Sequence, residues 1–124
     1  MLKIISVNNS GALASEYVFL KVVAECNIGD YLLVDSTYES DDTPSNKLRH
    51  VFFFPSKVLK EGENILLRTK AGTYKLEKTA NGSPQHNLFW GLKETVWNVD
   101  GDKAFVFKAP RTQRVSTAIA PKKQ

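Results

Sequence analysis

The chain has 124 residues, 42% hydrophobic and 24% charged, with a formal charge of +4 and a single cysteine. That size fits one domain, able to bury about two-thirds of its unfolded surface without a metal or disulfide staple. Cys26 alone excludes an internal disulfide and any multi-cysteine zinc or redox motif, and is expected as a buried or half-buried thiol in a strand.

The elements read as strands between turn signals. Residues 2–7 form a first strand, ending at Asn8-Asn9-Ser10-Gly11. Residues 16–24 carry Tyr17, Val18, Phe19, Val22 and Val23, the β-branched and aromatic chemistry of a strand. A third strand follows Gly29-Asp30 over 31–38, and 39–46 is a polar loop with nothing apolar to bury. Residues 48–54 resume extended structure until Pro55, which cannot donate to a ladder. Residues 58–63 read as a turn, with Gly62 supplying positive φ. The next strand is 64–70, with Ala71-Gly72 as a hairpin tip into 73–77. Residues 81–87 are a second polar loop; 88–92 and 95–99 are short strands around the tryptophans. Residues 103–109 form a strand closed by Pro110, with one more over 113–119 and a frayed basic tail at 121–124.

Both faces of the 103–109 strand are partly apolar, which predicts a central, buried position. Short strands at this spacing predict an all-β fold, an antiparallel sandwich or barrel of about 8–9 strands spanning residues 1–120.

No apolar run approaches the roughly 20 residues of a membrane-spanning helix. Met1-Leu2-Lys3-Ile4-Ile5-Ser6-Val7 gives way to Asn8-Asn9-Ser10 too soon for a signal peptide. With Met1 as the native start, a cytoplasmic location is expected. The charge is uneven. Six of the 17 bases lie from Lys103 onward with no acid among them, leaving eleven bases against 13 acids before it. A near-neutral body with a basic end is the pattern of a solubilising end or a polyanion contact.

Four segments in order resemble the lamin tail domain. They are Glu16-Tyr17-Val18-Phe19-Leu20-Lys21, then Asp30-Tyr31-Leu32-Leu33-Val34-Asp35, then Val51-Phe52-Phe53-Phe54-Pro55 with Leu59-Lys60-Glu61-Gly62, and last Trp97, Asn98, Gly101 and Asp102 before Ala104-Phe105-Val106-Phe107. The resemblance covers residues 2–119 and implies an immunoglobulin-like β-sandwich. It also implies an interaction module for protein or nucleic-acid partners, without catalysis of its own. Glu16, Trp97, Asn98, Gly101 and Asp102 are the structural motif. Trp97 suits the space between two sheets about 10 Å apart; Asn98 and Asp102 suit turn amides, and Gly101 a positive φ. The family's D-x-x-G hairpin is replaced here by Pro110-Arg111-Thr112-Gln113.

Other chemistry is thinly represented. His50 and His86 stand 36 residues apart with no further ligand at zinc spacing, and read as structural or solvated. No helix start adjoins Cys26 or His50 to activate a thiol. No Gly-x-Ser-x-Gly elbow or phosphate loop is present. Glu39, Asp41 and Asp42 read as a solvated loop and Asp100 with Asp102 as turn capping, so calcium, which takes about six to eight oxygens, is not expected.

Two surfaces remain. Arg111, Arg114, Lys122 and Lys123 are candidates for salt-sensitive, sequence-independent binding of nucleic acid or another polyanion. Phe53 points away from Phe52 and Phe54 by strand alternation, and is a candidate contact for a protein partner or a second copy. The expectation is a non-enzymatic interaction or structural module with no cofactor.

Overall fold

The alternation of β-branched and aromatic residues with polar ones sets the architecture. In β2 (Tyr17–Val22), Val18, Leu20 and Val22 are fully buried, while Tyr17, Phe19 and Lys21 face outward. The structure, a computed structural model, describes residues 1–37, 48–97 and 102–115. The other strands there are β1 (Leu2–Asn8), β3 (Cys26–Asn27), β4 (Tyr31–Thr37), β5 (Leu48–Phe53), β6 (Val58–Leu59), β7 (Asn64–Arg68), β8 (Lys75–Lys78), β9 (Pro84–Phe89) and β10 (Asp102–Lys108). Two 3-10 turns, Ile28–Asp30 and Arg111–Gln113, are the only helical segments among the described residues. The fold is all-β. No helix among the described residues is long and apolar enough to cross a membrane.

A five-stranded sheet runs β1-β2-β7-β9-β8, a three-stranded sheet runs β10-β4-β5, and β3 pairs with β6. The two larger sheets feed one core: Val18, Leu20, Ile65, Leu67 and Leu88 from the first, Tyr31 and Leu33 from the second, with Phe54, Val96 and Trp97 from the connections. Each fully buried aliphatic side chain contributes about 1.5–3 kcal/mol. Phe52 faces inward with Phe54, meeting it edge-on at 5.1 Å and Trp90 at 5.7 Å.

Several expectations are corrected. The sheet is not wholly antiparallel, because β7 and β9 run parallel. The hairpin expected between 64–70 and 73–77 does not close, since β9 lies between β7 and β8. The segment read as a polar loop, 81–87, instead contributes most of β9. Its polar side chains tolerate burial because they are bonded: Asn87 Nδ2 donates to the Lys75 carbonyl at 3.0 Å and Gln85 Nε2 to Asn87 Oδ1 at 3.1 Å. Gly72 passes so close to Phe89 that a Cβ there would run into the ring.

The strand expected at 88–92 ends at Phe89, and residues 95–97 are not in a strand. The turn expected at 58–63 begins with the short strand β6, while Gly62 does take the positive φ expected of it, at 91°. β10 is an edge rather than a central strand: among the described residues it pairs only with β4, and it lies beside β1 of the other sheet. Residue 113 ends a 3-10 turn. Residues 114 and 115 are not in a strand, and 116–119 with the tail 121–124 lie outside the described residues.

Candidate functional site

Strand register places two apolar rows on the outward face of the three-stranded sheet. Phe53, Leu32 and Phe107 form one; Val51, Val34 and Phe105 form the other. Phe53 is 58% exposed, and Val51 and Phe107 are each 37% exposed. The Phe105 and Phe107 rings stack 6.1 Å apart at an interplanar angle of 10°. An open hollow of about 530 Å³ lies at one end, lined by Leu32, Phe53, Ala109, Arg114 and Val115.

The C-terminal turn builds one wall of this hollow. Asp30 anchors it, its carbonyl accepting from Ala109 N–H at 2.6 Å and its carboxylate from Arg111 N–H at 3.0 Å. Arg114 then folds back: Nε donates to the Ala109 carbonyl at 2.7 Å and Nη2 to the Gly29 carbonyl at 2.9 Å. The guanidinium sits 5.4 Å from the Phe53 ring centroid, a cation–π contact. Two of the sequence candidates, Phe53 and Arg114, are thus in contact. Arg114 is committed to the turn, while Arg111 is exposed. Lys122 and Lys123 lie outside the described residues.

The structural motif divides similarly. Glu16 and Trp97 are in contact: the fully buried Glu16 carboxylate accepts from Thr69 Oγ1 at 2.7 Å, Val96 N–H at 2.8 Å and Trp97 N–H at 3.3 Å. Asp102 opens β10 opposite Thr37. Asn98 and Gly101, and the acids Glu39, Asp41, Asp42 and Asp100, lie outside the described residues.

The histidines occupy two separate networks that the sequence reading missed. His50 Nδ1 meets the buried Asp35 Oδ2 at 3.0 Å, beside a hollow of about 260 Å³ lined with Leu92, Lys93 and Glu94. His86 lies between Glu63 Oε1, 2.8 Å from Nε2, and Tyr74 Oη, 2.7 Å from Nδ1. With Glu63 ionised and the ring neutral, Nε2 donates to the carboxylate and Nδ1 accepts from the phenol. Burial pushes the Glu63 carboxyl up, but the bonds from His86 and the Lys60 amide outweigh it and hold the group below its ordinary range. This chain ties the β6–β7 turn and the approach to β8 onto β9. Lys57 Nζ completes it, 4.8 Å from the Tyr74 ring centroid.

Cys26 is half-buried beside Tyr31, whose phenol is pushed above its ordinary value by burial and then by Cys26 and Asp30. No group of three or more potential ligands that could hold a metal occurs among the described residues. In comparisons with protein-family models, curated proteins and solved structures, nothing matches the chain. Sequence alternation could isolate Phe53, but not the pairing that aligns it with Leu32 and Phe107, because that register joins strands far apart in the chain.

Proposed function

We propose that the chain is a non-catalytic protein-interaction module, built as a lamin-tail-like, immunoglobulin-like β-sandwich. The observation that carries the reading is the outward row Phe53–Leu32–Phe107, an apolar face left open on a folded domain. Two sheets feeding one core, and the link from Glu16 to Trp97, support the architecture. A lone cysteine suits a reducing compartment such as the cytoplasm.

The positive charge of Arg114 in the wall of the hollow, with the exposed Arg111 on the same turn, fits a partner whose own apolar surface is edged with carboxylates. A second copy, carrying the same charges, fits this end less well. The test is parallel affinity capture with the wild-type chain and Phe53→Ser, combined with sedimentation of both. A protein held by the wild type in a salt-sensitive manner, and lost with Phe53→Ser, is the expected result. Identical capture by the two overturns the reading. A concentration-dependent dimer abolished by Phe53→Ser would assign the face to self-association instead.

A further inference from the structure

The opposite side of the molecule has a different chemistry. On the outward face of the five-stranded sheet, Tyr17, Phe19 and Phe89 present half-buried rings. Lys3, Lys21 and Arg68 stand among them, and none of the three has an ion pair among the described residues. Lys3 and Lys21 are direct cross-strand partners. Like charges placed opposite each other destabilise a sheet unless an anion lies between them. Both line a hollow of about 400 Å³ that also includes Glu61, without an ion pair to either lysine.

Lys21 borders a second hollow of about 400 Å³, together with Phe19, Asn64, Asn81 and Ser83. Asn64 is 8% exposed, yet its side-chain amide has no hydrogen-bond partner among the described residues. Its amide atoms open into this hollow, where they can donate to and accept from a ligand group. Asn81 Oδ1 is occupied, accepting from Thr79 Oγ1 and from Ser83 N–H, which leaves its NH₂ group to donate into the same space. The hollow therefore offers a ring face, two amides and an ammonium group.

We infer that this face binds single-stranded nucleic acid, with one base over Phe19 hydrogen-bonded to Asn64 and Asn81, and the adjoining phosphate between Lys21 and Lys3. Aromatic rings on an open sheet stack bases that are free of a duplex, and side-chain amides read base edges. Tyr17, two residues along the same strand and so roughly 6.7 Å away by strand rise, offers a second ring. The cations exclude a neutral glycan as the best-fitting ligand. An acidic glycan shares the charge but has no base to stack.

The test is fluorescence anisotropy of labelled 15-mers of dT and rU with the full chain, with duplex DNA and heparin as competitors. Expected is binding of the single strands that weakens with salt, with a log–log slope of about −0.7 for the phosphate held by Lys3 and Lys21, and steeper if Arg68 engages a second. Phe19→Ala and the pair Lys3→Gln/Lys21→Gln should each weaken binding about tenfold. Lys93→Gln, a charge change on an exposed loop, should leave it unchanged. The lysine pair changes only exposed side chains, so it remains informative if Phe19→Ala unfolds. The inference is overturned by absence of binding at low salt, by indifference to the lysine pair, or by equal or better binding of duplex. Heparin binding that survives Phe19→Ala in a folded variant would overturn it in favour of an acidic glycan.

Discussion

The Glu16 carboxylate reaches the backbone of Trp97, 81 residues away in the chain, and accepts its N–H at 3.3 Å. The contact joins the start of β2 to the tryptophan that fills the core, and Thr69 at the end of β7 closes it from the third side. A fully buried carboxylate with no ion pair among the described residues is tolerated because hydroxyl and amide donors replace water.

Glu16→Ala should therefore destabilise the fold by about 3 kcal/mol, since two amides and a hydroxyl lose their acceptor. Thr69→Val, which removes one donor and leaves the two backbone bonds, should cost about 1 kcal/mol. Urea titration of each variant against the wild type measures both, and a cost for Glu16→Ala no larger than that for Thr69→Val would contradict this account.

Neighbouring phenylalanines on β5 should behave oppositely. Phe52→Ala, removing an inward ring packed on Phe54 and Trp90, should cost about 3–5 kcal/mol. Phe53→Ser should stay within about 0.5 kcal/mol of the wild type, apart from its stacking with Arg114. Thermal melts of the two variants distinguish core from surface directly.

Acid should loosen the Glu63–His86 pair. The folded carboxyl lies below its ordinary range, so its ionised form contributes stability that is fully present above the unfolded value. That contribution is lost as pH falls through the lowered folded value. In urea titrations from pH 7 to pH 3, Glu63→Gln should flatten the acid limb of the stability curve; an unchanged acid limb would assign the acid sensitivity elsewhere.

Gly72→Ala should destabilise by about 1–3 kcal/mol, because the added methyl group displaces the Phe89 ring. Pairing it with Phe89→Leu should recover part of the loss, and the double-mutant cycle from chemical denaturation reads the coupling.

Arg114→Gln should release the C-terminal turn from the Gly29 and Ala109 carbonyls. Amide exchange at residues 111–114 should accelerate while the β7 amides stay protected. Unchanged exchange at the turn would mean that Asp30 alone holds it.

The core strands were legible because their apolar residues alternate: Val18, Leu20 and Val22 in β2 declare a period of two. β9 was not, because Gln85, His86 and Asn87 read as loop residues until their tertiary partners are known. The same holds for β10, whose two half-apolar faces fit either an edge or a centre. Glu16 and Trp97 stood out individually, but only the fold brings them together. The place of Asn64 in the lining of a hollow had no sequence signal, since it depends on the register of β7 with β2 and on the turn at 79–83.

The insertion of β9 between β7 and β8 orders events during synthesis. When the ribosome has released the chain only as far as residue 80, β7 can pair with β2, but its other edge and all of β8 have no strand to join. Completion of Pro84–Phe89 supplies both ladders at once. Until then the nascent protein carries an open apolar edge at Ile65, Leu66 and Leu67, the interval in which a chaperone or a neighbouring chain has its best opportunity to bind.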